Sequence, residues 1–155
     1  MRLTLHTDYA LRLLLRLAVD TDELHTIESI AERYAISRHH LTKVTQTLVQ
    51  AGFVESVRGR RGGLRLARPA AAIRLGEVMR ATEDTFALVD CFAPEAADCA
   101  IASSCGLQRA LREAMGAFFG VIDRFTLADL VARPRDRRLL RRVFGTVPMT
   151  QERET

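Results

Sequence analysis

Three cysteines, Cys91, Cys99 and Cys105, lie in the stretch CFAPEAADCAIASSC at the spacing C-x7-C-x5-C, and the chain has no others. Between residues 84 and 105 stand Asp84, Asp90, Glu95 and Asp98, with no Lys or Arg. Thiolates are favoured beside positive charge, so an acidic segment is a poor home for a lone reactive thiolate. A bound metal centre would supply the missing charge. Structural zinc prefers closely paired ligands and four protein donors. The gaps here are longer, and the nearest His in sequence is His40. Iron–sulfur clusters are larger objects for which wider gaps are natural, but they too commonly take four ligands. Three cysteines leave one iron short, to be met by a His, a carboxylate, another chain or a small molecule. Spacing alone leaves three readings open: an iron–sulfur cluster, zinc, or small buried cysteines without a cofactor.

The elements that must position these thiols belong to a chain of 155 residues, 48% of them hydrophobic. That suffices for one compact domain or a small domain with an appendage. The first apolar stretch is interrupted by Asp8, Arg12 and Arg16, and no small-residue cleavage site follows. No signal peptide or membrane span is expected, and the expected compartment is the cytoplasm. Thiols stay reduced there, which argues for metal or redox use over disulfides. Residues 1–80 carry 13 Lys and Arg against 8 Asp and Glu, whereas 81–155 carry 10 against 11. The net charge of +4 therefore belongs to the N-terminal half. Nucleic acid is the first partner to consider.

Periodicity predicts a helix over 7–19, capped by Thr7, with Leu11, Leu14, Leu15 and Ala18 on one face. A second helix follows over 26–34, with Thr26 as cap. Ser37 is placed to cap a third, which Gly52 ends. FVESVRG and LRLAR alternate as strands about the turn RRGG. LGEVMRATE reads as a short helix. From Leu107, the residues Leu111, Met115, Phe118, Ile122 and Phe125 continue a coiled-coil-like stripe. The fold class is mainly α with a small β-hairpin wing: a winged helix-turn-helix followed by a long C-terminal dimerisation helix.

The third helix turns Leu41, Val44 and Leu48 inward and His39, Lys43, Gln46 and Gln50 outward, with His40 and Thr47 alongside. An outer face without carboxylates suits a polyanionic groove. Ser37, Arg38, His39 and His40 open the helix, where recognition helices usually touch bases and phosphates. The hairpin RGRRGGLRLAR holds five Arg and no acid, which places Arg58, Arg60, Arg61 and Arg65 as candidate phosphate contacts. No Gly-rich phosphate loop, nucleophile elbow or HExxH motif supports catalysis.

TDYALRLLLRLA, SRHHLTKV, AGFVESVRGRRGGLRLARP, IRLGEVMRATE, three cysteines and FTLADLV occur in that order. This pattern resembles the bacterial iron–sulfur winged-helix transcriptional repressors over roughly residues 1–131, and within them the nitric-oxide-sensing NsrR branch. The resemblance implies a homodimer that binds a double-stranded DNA operator and responds to nitric oxide. It implies one four-iron or two-iron cluster per chain, held by Cys91, Cys99 and Cys105. A sister branch completes its site with a His just after the third Cys, where this chain has Gly106 and Leu107. The resemblance points instead to Asp8 as fourth ligand, in the same or the other subunit, with His6 as second candidate. The division that follows is 1–83 for DNA binding, 84–105 for the cluster loop, 106–132 for the dimerisation helix and 133–155 for an Arg-rich tail expected to be mobile. The alternative is a thiol- or zinc-based regulator of the same fold.

Overall fold

A computed structural model describes residues 2–92, 99, 101 and 104–145. The order is α1 (Leu5–Val19), α2 (Ile27–Tyr34), α3 (Arg38–Gln50), β1 (Val54–Val57), β2 (Gly63–Leu66), α4 (Leu75–Thr82), α5 (Gly106–Ile122), α6 (Leu127–Val131) and α7 (Pro134–Gly145). One-turn 3₁₀ segments at Ala70–Ala72 and Asp90–Phe92 lie between. No helix among the described residues is long and apolar enough to cross a membrane.

The first helix starts earlier than its periodicity suggests. Thr4, not Thr7, is the cap, and its side chain accepts from the Thr7 N–H at 3.2 Å. Thr7 is instead fully buried, because its hydroxyl meets that of Thr82 at 2.9 Å. Leu13, Leu14, Leu17, Ala18 and Val19 are buried along α1, each leucine or valine stabilising by about 1.5–3 kcal/mol. Ala10 is fully buried too, and its small side chain lets neighbours approach α1 closely. The helix touches α3, α4, α6, α7 and β2.

Thr26 caps α2 as expected, accepting from the Ser29 N–H at 3.1 Å. The helix ends on Ala35 in the left-handed region, φ 52°, and the Ile36 N–H returns to the Ala31 carbonyl. That closure turns the chain into α3. Ser37 holds the N-cap position of α3 without a side-chain hydrogen bond. Gly52, at φ 73°, then lets the chain leave α3 for β1.

The two strands pair antiparallel, with Glu55 opposite Arg65 and Ser56 opposite Leu64. His25 adds a third partner at the hairpin base: its N–H donates to the Leu64 carbonyl at 3.1 Å and the Leu64 N–H donates back at 2.8 Å. Arg74 and Thr126 make a similar bridge, flanked by Leu75 N–H to Phe125 carbonyl and Leu127 N–H to Ile73 carbonyl. Phe125 therefore lies beyond the end of α5 and does not continue its helical stripe.

The Arg-rich segment departs from the expected mobile tail. Residues 134–145 form α7, with Phe144 buried between the Tyr34 ring, edge-on at 5.7 Å, and the Arg16 guanidinium at 4.9 Å. Arg141 pairs with Asp20 at 2.7 Å, and Arg137 donates twice to the Val19 carbonyl. Burial pushes the Asp20 carboxyl up, but the hydrogen bonds and charges of Arg16 and Arg141 outweigh it and hold it below the usual range. The expectation of mobility for residues 146–155 lies outside the described residues.

Phe144→Ala is expected to cost about 2–4 kcal/mol, seen as a lower urea midpoint; a free tail would show no change. His25 gives a pH signature. Burial, reinforced by the Arg16 charge, holds its ring below the usual His range. The unfolded chain then takes up its proton at a higher pH than the folded chain. The stability from the neutral ring is complete above about pH 6.5 and lost as pH falls through the lowered folded value. The urea midpoint is expected to drop between about pH 7.5 and pH 5.5, with a shallower drop in His25→Gln.

Candidate functional site

The described residues bring most of the candidate DNA contacts onto two adjoining features. On α3, Leu41, Val44 and Leu48 are buried, while Ser37, Arg38, His39, His40 and Lys43 are exposed. Thr45 is buried on the core side, and its hydroxyl donates to the Leu41 carbonyl. The helix therefore seats one apolar face and offers the other without a carboxylate. Strand β1 packs on α3, so the hairpin stands beside that face.

At the hairpin tip Arg58, Arg60 and Arg61 are exposed. Gly59 takes φ 121°, and a Cβ on Gly62 would meet the Val57 carbonyl oxygen at 2.3 Å. Two glycines thus make the tight loop that projects the arginines. Two other candidates are held by acids. Arg38 pairs with Glu28 of α2 at 2.5 Å, and Arg65 pairs across the strands with Glu55. Both pairs are largely exposed, where such contacts are worth little, so they orient these arginines more than they stabilise the fold.

Cys91 and Cys105 lie at α5. Cys91, half-buried in the 3₁₀ turn, borders an open recess of ≈ 480 Å³ with Phe86, Phe92, Arg112 and Met115. Cys105 is the N-cap of α5, and its sulfur accepts from the Gln108 N–H at 3.4 Å. Cys99 is exposed. Among the described residues no three His, Cys, Asp or Glu side chains converge as a metal site. The donor set nevertheless fits a thiolate-bound iron–sulfur group. It offers three soft sulfurs, one of them hydrogen-bonded by a helix N-terminal amide, and a partly apolar recess beside Cys91. The recess also has a cation that the local sequence lacks: Arg112, from α5, lies 5.2 Å over the Phe92 ring.

The fourth-ligand candidates sit in the first turn of α1, with the cysteines outside their hydrogen bonds and ion pairs. Asp8 is paired with Arg12 at 2.8 Å, its side chain 40% exposed. His6 Nε2 lies 3.1 Å from Thr47 Oγ1 of α3. Sequence reasoning also missed the clamp between α4 and the end of α5. Arg80 donates to both Asp123 carboxylate oxygens, at 2.8 and 2.7 Å, and Arg74 donates to the Asp123 carbonyl at 2.7 Å. The Arg80 hydrogen bonds hold the Asp123 carboxyl below its usual range. Gly76 makes room for this clamp, since a Cβ there would lie 1.8 Å from Asp123 Oδ1. The glycine could be read from the sequence, but its partner, 47 residues on, could not.

Helix, helix, turn, recognition helix and basic hairpin define a winged helix-turn-helix transcriptional regulator. Residues 3–133 match the Rrf2 model, described as "Iron-dependent Transcriptional regulator", and the chain belongs to that family. It is 47% identical over 137 residues to the HTH-type transcriptional regulator NsrR of Bacillus subtilis, covering 88% of this chain and 94% of that protein. It is 48% identical over 136 residues to Protein aau3 of Rhizobium meliloti, covering 87% and 88%. Among solved structures, T. potens IscR aligns with TM-score 0.68 at 26% identity, over 85% of this chain and 87% of that one. The oxidized form of Staphylococcus aureus CymR aligns with TM-score 0.68 at 29% identity, over 86% and 98%. The family is one of DNA-binding transcriptional regulators rather than enzymes.

The tip geometry sets a measurable expectation. The double variant Arg60→Ala, Arg61→Ala is expected to bind operator DNA more weakly and to flatten the salt dependence by roughly 0.9 per lost phosphate contact in log–log slope. An unchanged slope would place the tip away from the backbone.

Proposed function

We propose that the chain is a nitric-oxide-responsive transcriptional repressor that binds its operator as a homodimer and releases it when nitric oxide attacks a bound iron–sulfur cluster. Cys91, Cys99 and Cys105 hold the cluster, one per chain, and Asp8 completes it. The observation that carries this reading is a helix, α5, whose apolar stripe the described residues leave uncovered and whose first turn is capped by Cys105. No residue of α5 is buried; Leu107 is 64% and Val121 46% exposed. With Leu111, Met115, Phe118 and Ile122 half-buried, that stripe suits a second copy of itself. The NsrR names of several relatives support the signal assigned.

When bound, the cluster would supply iron sites open to nitric oxide. The chain's own residues do the rest. Ser37, Arg38, His39, His40 and Lys43 enter the major groove, and Arg58, Arg60, Arg61 and Arg65 reach the backbone. In a two-fold dimer these surfaces repeat, so both half-sites must be engaged together for tight binding. Asp8 is an oxygen donor among sulfurs, the mismatched member of the set. Its exposed pair with Arg12 is worth only about 0–1 kcal/mol, so it is available to a stronger acceptor. Because Asp8 belongs to α1, its attachment braces the reading domain against the cysteine segment.

A thiol- or zinc-based regulator is the second reading, favoured by the likeness to a CymR solved in an oxidized form. Anaerobically purified protein is expected to be coloured and to contain iron and acid-labile sulfide, and to sediment as a dimer. One tightly held zinc and no sulfide would support the second reading. Asp8→Ala is expected to keep its fold and lose most gas-dependent operator release in a gel-shift assay; undiminished release would remove Asp8 from the mechanism.

A further inference from the structure

The first turn of α1 is a junction between two places that the proposed switch must connect. On one side it grips the root of the cysteine segment. The Thr4 N–H and hydroxyl donate to Glu83 Oε1 at 2.8 and 3.1 Å. Thr7 and Thr82, both buried, share a hydroxyl contact of 2.9 Å. Thr82 spends its own hydrogen on the Val78 carbonyl at 2.9 Å, so Thr7 is the donor. Thr82 and Glu83 directly precede residue 84, where the acidic cysteine-bearing stretch begins.

On the other side the same turn touches the recognition helix. His6 Nε2 meets Thr47 Oγ1 at 3.1 Å, and the Thr47 hydroxyl donates to the Lys43 carbonyl at 3.3 Å. With its hydrogen on Nε2, the His6 ring donates to the Thr47 hydroxyl. Beside this bond is an apolar recess of ≈ 180 Å³ lined by Leu5, His6, Tyr9, His40, Lys43 and Val44. The bond is a direct side-chain link from α1 to α3 beside this recess. His40 and Lys43, which share that recess, are candidate DNA contacts.

We propose that His6 is a positioning residue for operator recognition, coupling the cysteine segment to α3 through Thr47. The proposal rests on the iron–sulfur reading above and takes His6 out of the ligand set. When the segment shifts, the turn held by Thr82 and Glu83 shifts with it, and His6 carries that displacement to the helix bearing His40 and Lys43.

The test compares operator affinity before and after nitric oxide in anaerobic, cluster-loaded protein. His6→Ala and Thr47→Val are expected to shrink the ratio of the two affinities by about fivefold, on the order of what one hydrogen bond supplies. The loss falls on the loaded form, with its visible absorption unchanged. His6→Gln, whose amide can donate to the same hydroxyl, restores the ratio. In cluster-free protein, amide exchange over residues 43–50 is expected to quicken in His6→Ala and Thr47→Val but not in His6→Gln, with α2 unaffected. Loss of the absorption in His6→Ala would mean that His6 is a ligand and would overturn the proposal. Equal weakening of both forms would mean a purely structural contact and would also overturn it. A wild-type protein without gas-dependent affinity would overturn the underlying reading, and the coupling with it. A switching wild type with equally switching variants would sink the role of His6 alone.

Discussion

The burial of α1 is the constraint from which the remaining geometry follows. Seven of its fifteen residues are buried, and the helix is in contact with α3, α4, α6, α7 and β2. A helix enclosed on so many sides cannot shift without disturbing several neighbours, because close-packed interiors transmit displacement instead of absorbing it. The recognition helix is in contact with α1, α2, α4 and β1. It seats Leu41, Val44 and Leu48 and leaves the opposite face open. Its position is therefore set by these four neighbours, of which α1 is one.

A second constraint sits at the other end of the chain. Helix α5 is joined to the winged domain by polar contacts rather than by a buried apolar seam. Arg80 and Arg74 grip Asp123 at its C-terminal end, Arg80 stacks 4.4 Å over Phe119, and Phe86 meets Phe119 edge-on at 4.8 Å. These contacts fix where α5 leaves the domain but cover little of its stripe. Among the described residues the stripe keeps Leu107 and Val121 exposed, a costly arrangement for an apolar helical face in water.

Local chemistry wrote the parts of the fold that were legible in the sequence. RGRRGG between alternating strands could only be a tight basic turn, and Gly52 after a helical pattern could only be its exit. The misplaced features depend on residues far apart in the chain. Thr4 and Thr7 are equally good caps by sequence; Thr82, on α4, decides between them by drawing Thr7 into the core. The stretch PRDRRLLRRVFG reads as a solvated run until Tyr34 and Arg16 supply a seat for Phe144. The outward arginines were legible as a set, but Glu28 and Glu55 separate those already held from those at the hairpin tip. The three thiols were visible at once, whereas Arg112 beside Cys91 was not, because α5 brings it there from 21 residues away.

Polar residues gather where α1 could have been apolar, and this placement is itself informative. Thr4, His6, Thr7 and Asp8 occupy its first turn, while the following two turns bury leucines. Apolar packing at that turn would hold α1 to its neighbours without direction. Hydrogen bonds hold it to named atoms: Thr47 on α3, Thr82 and Glu83 at the end of α4, and Arg12 on α1 itself. Each of these is worth about 1 kcal/mol net, and all but the buried Thr7–Thr82 contact involve partly or fully exposed groups. A joint that must be rigid in one state and yield in another is better made from a few directional contacts of about 1 kcal/mol than from buried leucines worth several. Several such contacts gather at the turn that carries Asp8, where α3 and the end of α4 come together.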